Sequence, residues 1–301
     1  MEPRSRGLAY ALAAYLLWGA FPLYFKALHG VPAPEILAHR VLWSVVLLAG
    51  IVFLGGRTPL LRDALRPGRR GVLAVTAVLI AANWLIYIWA VNAGRVLEAS
   101  LGYFVNPLVN VLLGMAFLRE RLSRVQAFAV ALAGAGVAVL VVRLGTVPWL
   151  PLSLALSFGL YGLLRKRAGI DPIGGLLAET ALLAPVALAY LVLRGAGGEG
   201  AFGHGAWRTA LLVAAGPVTT VPLVWFAIGV RSLRLSTMGL VQYVTPTIQF
   251  LMAVALFREP FTRTHAVAFG CIWASLAAYT WDALARVRRV EAAASEAARA
   301  A

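Results

Sequence analysis

Six polar side chains stand at helical spacing inside stretches otherwise suited to hydrocarbon. Tyr103, Asn106 and Asn110 recur at i, i+3 and i+7, so a helix carries them on one face. Gln242, Thr245 and Gln249 repeat the same spacing further along the chain. Amide and hydroxyl groups are costly in a bilayer unless they face protein or a water-filled cavity. Such stripes have two uses. They can hydrogen-bond a polar solute along a path, or bond across helices at about 0.6 kcal/mol each. Two matched stripes, each beside a proline (Pro107 and Pro246), point to the solute path, because a mid-span proline removes a backbone bond and breaks the helix locally.

The ionisable side chains inside apolar stretches are few. Arg40, next to His39, lies one turn into Ile36–Leu54, where a charge costs up to about 2.5–3.5 kcal/mol at the centre. It either snorkels to the interface or serves the pathway. Glu179 is the deepest acid, while Glu35, Glu98, Glu120, Asp171, Glu259 and Asp282 fall at span ends. An intramembrane acid is a candidate for proton coupling, and pairing with Arg40 is the structural alternative. Trp18, Trp84, Tyr87 and Trp225 fall near mid-span, where an interfacial aromatic belt does not account for them; with Asn83 and Tyr161 they either wall a cavity or pack the core. Catalytic signatures are missing. Gly198–Gly203 matches GxGxxG formally but follows no strand, and there is no HExxH, GxSxG or Walker loop. No enzyme, cofactor or metal site is expected.

The elements that position these residues follow from composition. Of 301 residues, 61% are hydrophobic and 13% charged, with a net charge of +15. Ordinary soluble domains carry about 25% charge, and a nucleic-acid binder would show a denser cationic face. Neither class fits. Ten stretches have membrane-spanning length: Gly7–Phe25, Ile36–Leu54, Val72–Val91, Ser100–Leu118, Val125–Val142, Pro148–Leu164, Gly174–Leu193, Trp207–Val230, Ser236–Phe257 and Ala266–Leu284. The expected fold is all-α and polytopic. The longest connectors, Gly55–Gly71 and Arg194–Ala206, read as loops of Gly, Pro and Arg.

Most of the 27 Lys and Arg residues fall in the loops that lie on the side of the N-terminus. The positive-inside rule then puts both termini in the cytoplasm of a cell with an inner or plasma membrane. Cys271 is the sole cysteine and lies in an apolar stretch, so no disulfide framework is expected.

The chain repeats itself. Tyr103-Phe-Val-Asn-Pro-Leu-Val-Asn110, running to Phe117-Leu-Arg-Glu120, returns as Gln242-Tyr-Val-Thr-Pro-Thr-Ile-Gln249, running to Leu256-Phe-Arg-Glu259, at a shift of 139. A shift of 140 carries Trp18-Gly-Ala-Phe21 onto Phe158-Gly-Leu-Tyr161, and Lys26 onto Lys166, the only two lysines. Five spans per half is odd, so the halves must cross in opposite senses, a transporter signature. The expected organisation is a first repeat over 1–143, a second over 144–285 and a cytoplasmic tail over 286–301.

The sequence resembles the EamA family of the drug/metabolite transporter superfamily. The resemblance is carried by Trp18-Gly-Ala-Phe-Pro-Leu-Tyr-Phe-Lys26, Glu35-Ile-Leu-Ala-His-Arg40, Asn83-Trp84 with Trp89-Ala-Val-Asn92, Leu97–Asn110, and Arg234-Leu-Ser-Thr-Met-Gly239 with Gln242-Tyr243. It implies ten helices in two inverted five-helix repeats around a central cavity, lined by spans one, three, four, six, eight and nine. The expected activity is secondary transport of a small organic metabolite or drug by alternating access. A transport-inactive binding or regulatory protein of the same fold is the alternative.

Overall fold

Proline and glycine punctuate the helices. The computed structural model describes residues 3–118, 123–145, 147–232 and 241–300. Helices α1 (Pro3–Gly19) and α2 (Phe21–Ala27) are separated at Ala20, with Pro22 in the first turn of α2. Then come α3 (Ala33–Leu54), α4 (Thr58–Ala64), α5 (Pro67–Asn92) and α6 (Val96–Leu118). Pro34, Pro59 and Pro67 open α3, α4 and α5, where the missing N–H has no helical acceptor to serve. Helix α7 (Arg124–Leu144) starts at a Ser123/Gln126 capping box and ends at left-handed Gly145.

After α7 the chain forms α8 (Trp149–Ala168), α9 (Pro172–Ala196) and α10 (Ala206–Ser232). Asp171 caps α9 by accepting from the Ile173 and Gly174 amides. The last elements are α11 (Val244–Leu251), continued by a π turn over Met252–Leu256, and α12 (Arg263–Ala300). Among the described residues there is no strand. Seven helical segments among the described residues are long and apolar enough to cross a membrane, counting α1 with α2 as one. Their outer faces carry side chains such as Phe53, Val78, Val186 and Leu193, all exposed and suited to lipid.

Two expectations need correcting. The connector 55–71 is not a plain loop: α4 occupies it, and the backbone of Leu60 packs so closely on Gly174 that a Cβ there would stand 2.5 Å from the Leu60 carbonyl oxygen. Pro107 does not break its helix. Helix α6 runs through it because α8 and α11 pack on α6 and hold it across the one missing bond.

Packing is mostly between the two halves of the chain. Helix α1 packs on α10 and α11, whereas α8, its repeat counterpart, packs on α5 and α6. Helix α3 packs on α10, and its counterpart α9 on α5. The pairs α3–α9, α6–α11 and α7–α12 join counterpart to counterpart. Single contacts repeat as well: Gly19 faces Ile248, and Gly159 faces Val109, the residue 139 positions before Ile248.

Candidate functional site

The second-half stripe is attached to the break in the first helix. Pro22 has no N–H to donate to the Trp18 carbonyl four residues earlier. Gln249 Nε2 donates to that oxygen instead, at 3.1 Å. One turn away along α11, Thr245 Oγ1 donates to the Tyr15 carbonyl at 2.7 Å. These two residues therefore bond between helices, yet Gln249 Oε1 stays buried without a partner. Gln242 does not share their helical face, since it lies in the turn ahead of α11. The break comes before Pro246, which sits in the first turn of α11 where an N–H is dispensable.

The first-half stripe stays on one helix. Asn106 is buried and its Oδ1 has no partner. Tyr103 is half-buried against Tyr87, with ring centroids 5.6 Å apart. The Tyr87 hydroxyl is sealed and unpartnered, and its ring also meets Phe25 at 6.0 Å. Asn110, one turn beyond Asn106, is exposed on the side of Gly159. Asn83 acts across the halves, donating to the Leu154 carbonyl at 3.0 Å and to Ser157 Oγ at 2.9 Å. Trp18 packs edge-on to Tyr15 at 5.4 Å and meets Phe226 at 5.6 Å. Phe226, rather than its half-buried neighbour Trp225, completes that cluster.

The two intramembrane charges do not meet each other. Glu179 Oε1 accepts from Thr76 Oγ1 at 2.7 Å and lies 3.5 Å from Arg165 Nη1, while Oε2 accepts from the Tyr161 hydroxyl at 3.2 Å. The expected alternative partner, Arg40, sits elsewhere. The reason is steric access: Arg165 crosses over Gly175, where a Cβ would overlap the guanidinium, and its Nη2 is anchored to the Asp171 carbonyl at 3.0 Å. Arg40 does not snorkel. It is 5% exposed, with its guanidinium 4.1 Å from the Trp84 ring and 5.5 Å from Phe21.

One functional element escaped the sequence reading. Glu259 accepts from the Val96 and Leu97 amides at 2.8 and 2.7 Å, so its carboxylate caps the start of α6 from the second half of the chain. Its placement at the end of a repeated motif was the available signal. The first-half counterpart, Phe117-Leu-Arg-Glu120, runs beyond the described residues at Arg119, and Arg234–Gly239 lies outside them too. An apolar groove of about 670 Å³ between α3 and α10, lined by Trp43, Leu47 and Pro217 among others, involves none of the sequence-predicted residues.

The first half of this site carries a family match. Residues 5–142 match the EamA-like transporter family. The chain is 46% identical over 285 residues to an "Uncharacterized transporter" of Vibrio cholerae, covering 94% of each chain.

The chain belongs to the EamA-like transporter family.

It is also 45% identical over 286 residues to "Protein RarD" of Escherichia coli, covering 94% of this chain and 97% of the relative. A solved crystal structure of a protein 22% identical shares the fold, with a TM-score of 0.59 over 96% of this chain and 99% of the other. The family and the apolar helices make this a multi-pass membrane protein of the drug/metabolite transporter kind, with small solutes as its class of substrate.

Proposed function

We propose that the protein is a secondary transporter of small organic metabolites or drugs, working by alternating access between two inverted five-helix halves, 1–143 and 144–285. All ten apolar stretches then cross the cytoplasmic membrane, the three beyond the seven long apolar segments being α8, α11 with its π turn, and the first part of α12. Both termini and the tail 286–301 face the cytoplasm, as the distribution of cations favours. The exchange of packing partners between α1 and α8, and between α3 and α9, supports the two-fold relation.

The observation that carries the solute path is a pair of open acceptors. Asn106 Oδ1 on α6 and Gln249 Oε1 on α11 are both buried without partners, on two helices in contact. Buried acceptors left open cost about 1–3 kcal/mol each unless something completes them. A polar solute between the halves would do so. Trp18, Trp84, Tyr87, Tyr103 and Tyr161 wall the path, Asn83, Asn110, Trp225, Gln242 and Thr245 border it, and Pro107 and Pro246 lie on the helices that gate it. Glu179 couples transport to protons.

Counterflow in liposomes tests the reading. Purified protein should exchange at least one solute from a metabolite and drug panel with saturable kinetics, and Asn106→Leu/Gln249→Leu should abolish it. Normal counterflow in the double variant would contradict the site. Ligand binding without flux in the wild type would favour a transport-inactive protein of this fold.

A further inference from the structure

Arg40 and Glu179 occupy corresponding places in the two repeats, 139 positions apart, and their surroundings differ. Phe21 and Phe25 flank Arg40 where their counterparts Tyr161 and Arg165 flank Glu179. In the second half the charge is closed by an ion pair and two hydroxyl donors. In the first half it is open. Among the described residues no carboxylate lies within ion-pair distance of Arg40, its guanidinium makes no hydrogen bond, and Nε is sealed from solvent without a partner.

Its neighbours are aromatic: Trp84 at 4.1 Å, Phe21 at 5.5 Å and Phe25 at 6.0 Å. Tyr24, Tyr87 and Tyr103 lie within electrostatic reach of it. Tyr24 already donates its hydroxyl to the Leu211 carbonyl at 2.7 Å, whereas the Tyr87 hydroxyl is free. The adjacent His39 turns away and stacks on Phe202 at 5.0 Å. Cation–π contact offsets only part of the cost of burying a guanidinium. A planar cation with donors in a fixed fork matches a carboxylate in two parallel bonds.

We infer that Arg40 is the binding site for the carboxylate of an organic monoanion whose flat body lies among Trp84, Tyr87 and Phe21. A single guanidinium neutralises one negative charge. A phosphate dianion would leave net charge in the hydrocarbon. This deepens the transport reading and rests on it for the way in. The free Tyr87 hydroxyl supplies a further donor to the second lone pairs of the same carboxylate.

Matched acids and amides test the assignment. Binding to purified protein in nanodiscs is measured for benzoate, phenylacetate and cinnamate against benzamide, phenylacetamide and cinnamamide, with inorganic phosphate as a separate arm. At least one acid should bind the wild type tenfold or more tighter than its amide. Arg40→Met should bring that ratio to about one, and Arg40→Lys should leave a reduced preference; Arg40→Gln replaces Arg40→Met if the latter does not fold. Equal binding of acid and amide in all three pairs would overturn the inference, as would an acid preference that survives Arg40→Met, or phosphate binding tighter than every acid. Acid binding without counterflow of any acid would leave the carboxylate site standing and remove the transport reading. Counterflow of neutral solutes that Arg40→Met leaves intact, with no acid preference, would do the reverse.

Discussion

Gln249 Nε2 donates to the Trp18 carbonyl oxygen at 3.1 Å, the acceptor that Pro22 leaves without its helical donor. The break between α1 and α2 and the polar side chains of α11 are thus one feature. Pro22→Ala restores a local donor to Trp18. Gln249→Leu should therefore lower thermal stability by about 0.6–1.7 kcal/mol in the wild type and by clearly less in a Pro22→Ala background. Additive effects in that double-mutant cycle, read by melting in detergent, would mean the two residues are not coupled.

Glu179 is held by Arg165, which reaches it only because residue 175 is glycine. Gly175→Ala displaces the guanidinium and leaves a buried carboxylate without its cation. The expected loss is about 3 kcal/mol of stability, with most of it recovered in Gly175→Ala/Glu179→Gln. Glu179→Gln alone should keep the fold and remove the response of uptake to a pH gradient. A retained response in that variant would exclude Glu179 from coupling.

Glu259 caps α6 from the other half of the chain. Glu259→Ala should cost about 1–2 kcal/mol and speed amide exchange at Val96 and Leu97, whereas Glu259→Gln, which keeps one acceptor, should cost less. Burial pushes the Glu259 carboxyl above the ordinary carboxylate range, against the two backbone donors and Lys26 that pull it down. The folded chain then holds this proton to higher pH than the unfolded chain. Its contribution to stability is present at the acid end and falls as pH rises through the raised pKa. That slope should be absent in Glu259→Gln. An unchanged slope would assign the pH dependence to another group.

The all-helical, multi-pass character was legible in the sequence because hydropathy is a long-range signal that survives local detail. The packing of Gly19 on Ile248 and of Gly159 on Val109 follows the alignment of the two halves. The side-chain pairings were not legible. Whether Glu179 meets Arg40 or Arg165 depends on which helix face Gly175 leaves open, and one missing Cβ is invisible in a hydropathy pattern. Pro107 and Pro246 look alike in sequence, yet α6 is continuous while a turn precedes α11. The outcome at each proline depends on the helices packed around it, which spacing alone does not encode. In the sequence Glu259 is a span-end charge and no more, because its acceptor role requires α6 to begin beside it, 162 residues away in the chain.

Alternating access is the central claim, and the exposure of one residue tests it directly. In a Cys271→Ala background, Asn106→Cys is labelled by an impermeant maleimide added to one side of oriented membrane vesicles at a time. The account predicts labelling from both sides, with a transported solute protecting the thiol from each. Labelling confined to one side, under every solute and pH gradient applied, would contradict it.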